Sequence, residues 1–400
     1  PSRIRLLHDT EILHSVDAAA VVETAGIVYW TDGATVIRST TATAASPSFT
    51  VENPHAGQTA VPVSDLTALG HEVYAAVGTS GIHLRTGAGT WTHWSDLEAT
   101  RVWAVKGRVI ASDGGDLYEA AAAAGSTLLH ALPNGREWTD VVDGGAAILA
   151  AADDGYVYSF VVDENAALVL AGQSLIPNEQ PMSLAHTAGV VLVGTAQPTT
   201  QGGAIGRLWR FAVGDNALLA GGQVLRQWGD GSASVSHAPT RMLAIRGSIF
   251  VALRGVDGRL ATWRYHLATG GLSADVVFDT SELAVGVVEV DDRLIVVAGG
   301  EAVWIQSERY VESGYLISAA ADFYTAAPKQ WVGARLQTPS GFDGEVLLEY
   351  STEFDALTDP THPSWRLVTK ATGSTPGAST EALLRSVTGR YLIFKVTLRA

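Results

Sequence analysis

The chain of 400 residues has no cysteine and only two methionines. Without thiols, disulfides and cysteine-ligated zinc or iron–sulfur sites are excluded, and cysteine usage says nothing of the redox compartment. Basic residues are also scarce: 26 Lys and Arg stand against 41 Asp and Glu, a formal charge of −15, with no basic run. Phosphate backbones and anionic bilayers reward clustered Lys and Arg, so no nucleic-acid partner is expected. No stretch approaches the roughly 20 apolar residues of a membrane span, so no membrane insertion is expected. The opening PSRIRLLHDTEIL lacks the apolar core and small-residue cleavage pattern of a signal peptide.

Catalytic and ligand motifs are equally sparse. HExxH, the EF-hand loop, the GxSxG elbow and the P-loop are absent, and GGAIG at 202–206 has too few spaced glycines for a dinucleotide loop. Eleven histidines are scattered from His8 to His362 without a close ligand pair and read as structural or solvated. Asp153-Asp154 and Asp291-Asp292 fall in turns, where Asp serves the backbone. No catalytic residue, metal site or cofactor is assigned.

What the sequence does contain is strand. With 47% hydrophobic and 17% charged residues the chain can bury a sizeable core. Seven times an apolar strand runs through a glycine-containing turn into a second strand: GIVYWTDGATVIRS, EVYAAVGTSGIHLRT, RVIASDGGDLYEA, AILAAADDGYVYSFVV, VVLVGTAQPTTQGGAIGRLWRF, IFVALRGVDGRLATWRYHL and LIVVAGGEAVWIQS. The turn glycines, Gly33, Gly81, Gly115, Gly155, Gly206, Gly258 and Gly300, recur near the ~40–50-residue period of a propeller blade. Upstream of each hairpin lies a small apolar strand, such as DLTAL at 65–69 or LAVGVVEV at 283–290, suited to a crowded inner ring. Trp94-Ser95-Asp96, Trp138-Thr139-Asp140 and Trp228-Gly229-Asp230 read as one recurring packing position at the end of the outer strand. Ala120–Ala124 reads as a strand extension or loop.

The seventh repeat lacks an outer strand, and residues 3–14 belong to no repeat, so they are expected to pair there and close the ring. The repeat stops near residue 313. Six short strands with Pro-, Gly-, Ser- and Thr-rich connections follow. The expected fold is all-β: a seven-bladed β-propeller over 1–312, closed by the N-terminal strand, then a small antiparallel β-sandwich over 313–400. Unrelated hairpins in one larger sandwich are the alternative.

Two sets of side chains are candidates for contact. Trp91 and Trp94 lie three apart on one strand and point to opposite faces, so one indole is a candidate glycan or partner contact. In the terminal GRYLIFKVTLRA, Leu392, Phe394, Val396 and Leu398 alternate as a buried face. That leaves Tyr391, Lys395 and Arg399 facing outward as a candidate interface.

The order of a propeller of irregular repeats, ESGYLISAAADF, a strand with Trp331, VLLEYSTEFD, WRLV and GRYLIFKVTL resembles the minor tail proteins of tailed bacteriophages that infect actinobacteria. The resemblance implies a structural or host-adhesion component of the virion's tail tip. It would stand in symmetric homo-oligomeric copies, attached to other tail proteins, and could meet a host cell-wall glycan. A start without Met and a strand running to the last residues fit one section of a longer tail polypeptide or a trimmed subunit. A carbohydrate-binding propeller is the alternative. A secreted glycan-active enzyme is a further one, and it would need carboxylates converging at the channel mouth.

Overall fold

The structure, a computed structural model, describes residues 8–55, 59–214, 218–229, 234–255, 257–310, 313–318, 329–337, 344–357, 361–372, 379–389 and 391–399. The chain divides into two compact units, one of Thr10–Ser307 and one of Pro1–Asp9 with Glu308–Ala400.

In the larger unit, consecutive strands form antiparallel meanders. Sheet 1 holds Val21–Thr24, Ile27–Asp32, Thr35–Ser39 and Thr50–Glu52, and sheet 2 holds Asp65–Leu69, Glu72–Ala76, Ile82–Arg85 and Trp91–Ser95. Sheet 3 runs from Arg101–Val105 to Thr127–Ala131, sheet 4 from Trp138–Asp143 to Leu168–Leu175, and sheet 5 from Gln180–Thr187 to Leu219–Trp228. The remaining strands join in one eight-stranded sheet. One half of it is the meander from Arg241–Ile245 to Gly271–Val277; the other is Ala284–Val290, Arg293–Ala298 and Ala302–Tyr310. His8–His14 lies between the halves, bonded beside Ala302–Tyr310 in the slot considered above for residues 3–14. The first strands adjoin in chain order, and Ala284–Val290 returns to Val21–Thr24, so they form a closed ring.

The sequence pattern follows from this stacking. Each of these sheets is covered on both faces, so its second strand is buried along its middle: Ile148–Ala152 is buried at every position. Ile148, Ala150 and Ala152 pack toward sheet 3 with Ile110 and Leu117, whereas Leu149 and Ala151 pack toward sheet 5 with Leu184 and Val191. Burying a side chain of that size contributes roughly 1.5–3 kcal/mol. Outer strands are wetter; Leu168–Leu175 is largely exposed.

Several tight hairpins join first to second strands through two left-handed residues, as at Ala25-Gly26 (φ 53° and 78°) and Arg246-Gly247 (φ 47° and 74°). This is the turn whose twist matches a hairpin. Asp291-Asp292 makes the same turn (φ 49° and 65°), which accounts for that acidic pair without a ligand. Gly206, read above as a turn glycine, lies instead inside the strand Ala204–Val213, and the turn precedes it. A Cβ there would stand 1.9 Å from the His237 carbonyl oxygen, so the glycine serves a close backbone approach. The tryptophan mark also divides: Trp94 and Trp228 sit on outer strands, but Trp138 opens a first strand. Ala121–Ala124 lies beyond the strand Asp116–Ala120, and Ala123 forms a parallel bridge with Ser95.

In the smaller unit the strand order is Ser313–Ile317, Ile393–Arg399, Glu345–Ser351, Arg366–Thr372, with Lys329–Gln337 paired separately to Ser379–Gly389. Leu384, Val387 and Leu392 form its buried centre, flanked by Tyr350, Val368 and Phe394. The terminal strand is therefore interior, paired on both edges. Its burial does not alternate as expected: Leu392, Ile393 and Lys395 are buried, while Phe394, Val396 and Leu398 are half-buried.

Candidate functional site

The ring of first strands brings together four charged side chains that no sequence motif had marked. Asp65 and Arg101 open their strands, Arg241 opens its own, and Asp140 follows the irregularity between Trp138 and Asp140. In register they oppose Ala76, Ser112, Ala252 and Ala151 of the second strands. They thus lie near the same end of four inner strands.

Each of the four reaches the next sheet along the chain. Asp65 accepts the Val102 N–H on Oδ2 at 3.1 Å and its neighbour Leu66 N–H on Oδ1 at 2.9 Å. Asp140 repeats this with the Leu184 N–H at 2.8 Å and the Val141 N–H at 2.9 Å. Arg101 donates to the carbonyls of Trp138, at 3.3 Å, and Thr139. Arg241 donates through Nε to the Val285 carbonyl at 2.7 Å and through Nη1 to the Thr240 carbonyl at 2.8 Å. Hydroxyls add links of the same direction: Thr139 to the Pro181 carbonyl at 2.8 Å, Ser183 to that of Pro239 at 2.7 Å, and Thr240 to that of Ala284 at 2.7 Å. Where the ring returns, the link is steric. A Cβ on Gly286 would meet Val21 Cγ1 at 2.5 Å.

Burial pushes the carboxyls of Asp65 and Asp140 above the usual range, against the opposing pull of Arg101, Arg241 and their N–H donors. Burial, with repulsion from Arg101, brings Arg241 down to about 10. It remains protonated at neutral pH. The two guanidiniums balance the two carboxylates, and Arg101 Nε stands 3.9 Å from Asp65 Oδ2. Asp65 and Asp140 therefore lie near the same end of the ring, each within the field of Arg101 and Arg241. Both oxygens of each are already engaged by backbone N–H groups, which suits a clasp better than proton transfer. Among the described residues no group of His, Asp and Glu is arranged to hold a metal ion.

The candidates read from the sequence fall elsewhere. Trp91 is buried among Tyr29, Val36 and Val73 between sheets 1 and 2, and its indole N–H donates to Glu52 Oε2 at 2.9 Å. Trp94 faces the other way, half-buried between sheets 2 and 3, edge-on to Tyr74 at 4.9 Å. The two do point to opposite faces, but both faces are seams, so neither offers an open platform. Nor does Lys395 face outward: it pairs with Glu349 at 2.8 Å and lies 4.9 Å from the Trp365 ring. Tyr391 is half-buried beside Phe354. Arg399 is exposed, and it is held by Glu345 at 3.0 Å. The outward interface of three residues thus reduces to Arg399 and part of Tyr391. A surface depression lined by Thr24, Tyr29, His71 and Arg85 lies apart from the charged ring, and Arg85 there is already engaged by Glu52.

A signal for the ring was present. Ser64-Asp65, Thr100-Arg101, Thr139-Asp140 and Thr240-Arg241 each set a hydroxyl and then a charge at or near the head of a first strand. It alternates in sign and so escapes a search for acidic or basic clusters.

No protein-family model matches the chain, and no curated protein matches it. Solved structures do. The WD40 repeats of RRP9 superpose with a TM-score of 0.54 at 10% identity, over 76% of this chain and 99% of that one. Virginiamycin B lyase from Staphylococcus aureus gives 0.55 at 10% identity, over 74% and 98%. The WD40 propeller domain of Doa1 gives 0.50 at 15% identity, over 76% and 97%. At such identities the likeness is one of fold: the chain contains a β-propeller.

Proposed function

We propose that the chain is a seven-bladed propeller followed by a β-sandwich, acting as a non-catalytic structural or host-adhesion component of a phage tail tip. The observation that carries the scaffold reading is the use of the channel's charged groups. Asp65, Arg101, Asp140 and Arg241 each bond to the neighbouring sheet's backbone. Such a ring holds its shape under load and presents rim loops at fixed positions. The seven-blade reading is supported by the cyclic adjacency of the first strands and by His8–His14 beside Ala302–Tyr310. The tail assignment rests on the strand order and motifs of residues 312–400. Partners would be other tail proteins and further copies of this chain. The sugar-binding alternative loses the indoles on which it rested, since Trp91 and Trp94 line seams.

Antibody raised against the purified chain, applied to particles from a producing lysate, should label one end of the tail and block adsorption or assembly. Label on no particle would overturn the tail assignment while leaving the scaffold reading intact. Reproducible turnover of cell-wall glycan by the purified chain, abolished by Asp65→Asn or Asp140→Asn, would overturn the non-catalytic reading.

A further inference from the structure

Apart from the charged ring, the seam between sheets 1 and 2 brings together Glu52, Arg85, His55, His83 and His93. His83 and Arg85 share one face of Ile82–Arg85, and their cross-strand partners are His93 and Trp91. Sheet 1 answers with Glu52 and, just beyond it, His55. Glu52 binds Arg85 through both oxygens at 2.6 and 2.9 Å and also accepts the Trp91 indole. His55 and His83 meet with ring centroids 6.4 Å apart, and His83 and His93 with centroids 5.2 Å apart.

His55 and His83 are 1% and 0% exposed. Each points Nε2 at a backbone carbonyl, Ala34 at 2.8 Å and Ser80 at 2.9 Å. A carbonyl can only accept, so Nε2 carries the proton and Nδ1 the lone pair. Both Nδ1 atoms are buried without a hydrogen-bond partner. The seam's carboxylates cannot compensate a new charge there, because Glu52 is engaged by Arg85 and Trp91, and Asp96 by His93 at 2.8 Å.

We infer that this seam is an acid-sensitive latch, closed while His83 is neutral and loosened when it takes a proton, with His55 packed against it. A proton on His83 Nδ1 creates a cation in a buried site beside two other imidazoles. Burial accordingly holds His83 below its ordinary 6.5, aided by His93 and His55, although the Ser80 and Pro54 carbonyls pull upward. The folded state therefore binds this proton less readily than the unfolded chain. The stability contributed is full above about pH 6.5 and is lost as pH falls through the lowered value.

The test is thermal unfolding of the full chain between about pH 7.5 and about pH 5.5. Wild type should lose several degrees of Tm across that interval. His83→Gln, which keeps a donor for the Ser80 carbonyl, should lose clearly less, whatever its starting Tm. His93→Gln should keep most of the wild-type loss. Parallel profiles for all three proteins, or a loss abolished by His93→Gln alone, would overturn the latch. Should the Gln variants fail to fold, histidine resonances of the labelled wild type decide. His83 should stay neutral until amide protection in residues 27–39 and 82–95 is lost, and its titration with protection intact would overturn the proposal.

Discussion

Asp140 holds the backbone of Leu184 across a sheet boundary, its Oδ2 accepting the Leu184 N–H at 2.8 Å while its other oxygen accepts the Val141 N–H. One side chain thus ties two successive inner strands together. Truncation by Asp140→Ala leaves two N–H groups short of an acceptor and Arg241 short of a counter-charge, at a cost of about 1–3 kcal/mol or more. Urea unfolding at neutral pH measures it. A cost within the scatter of ordinary surface substitutions would mean that the ring does not bind the sheets together.

The same carboxyl gives a pH dependence opposite to that of the histidine seam. Burial holds Asp140 above its usual 3.8, so the folded chain keeps that proton longer than the unfolded chain does. Stability contributed by the protonated form is present below the unfolded value and falls as pH rises through the raised one. Relative to wild type, Asp140→Asn should therefore gain stability as pH rises from about 4 to about 6. If it loses ground instead, the guanidiniums outweigh burial and the carboxyl is held low.

Closure of the ring rests on a short segment far away in sequence. Glu11 accepts the Ser307 hydroxyl at 2.6 Å, and His14 accepts the Trp30 indole N–H at 3.2 Å while stacking on Phe49 at 4.8 Å. Deleting residues 1–14 removes these bonds and bares Ala302–Tyr310 and Gly271–Val277 as strand edges. The truncated chain should melt at a distinctly lower temperature and aggregate, and a peptide of residues 3–14 added in excess should restore part of the loss. An unchanged melting temperature would show that the closing strand is dispensable.

Much of the fold was legible because stacking leaves a simple trace: a strand covered on both faces is apolar along its middle, and many of its turns use glycine or Asp. The repeats at 26–39, 72–86 and 147–162 were found in that way. Gly206 misled because a glycine required by the nearby His237 carbonyl looks, in sequence, like a turn glycine. The first hairpins at Ala25-Gly26 and Arg246-Gly247 leave a fainter mark, because the first of their two left-handed residues is neither glycine nor Asp. The sites were less legible. His55, His83 and His93 are brought together by strand pairing and by sheet stacking, and neither leaves a local spacing to read. The terminal strand shows the limit of alternation. With neighbours on both edges and Trp365 over Lys395, the side assigned to solvent is largely covered, down to Ile393 at 0% exposure.

The seam clasp of Glu52 should outweigh its contacts taken singly. Glu52→Ala leaves Arg85 unpaired at 9% side-chain exposure and the Trp91 N–H without an acceptor, whereas Trp91→Phe removes only the N–H and part of the ring. Breaking a buried pair from one side costs about 3–5 kcal/mol, and the partial exposure here places Glu52→Ala toward the lower end. A double-mutant cycle between Glu52→Gln and Arg85→Met should give a coupling above that of an exposed pair. Additive effects would assign the clasp to packing alone.

The last two basic residues of the terminal strand should now behave differently from each other. Lys395 is buried, paired with Glu349 and set over Trp365; Lys395→Glu would place two carboxylates together in a covered site. Arg399 keeps 56% of its side chain exposed and shares Glu345 with Lys370, so its ion pair is screened. Lys395→Glu should thus cost the fold about 1–3 kcal/mol or more. Arg399→Glu should cost no more than about 1 kcal/mol. Chemical denaturation of the full chain separates them. An assembly defect in Arg399→Glu with unchanged stability would locate a partner at this end of the strand, whereas the same defect in Lys395→Glu would be explained by misfolding. Equal and small losses in both variants would show that Lys395 is open to solvent, and the outward interface would be restored.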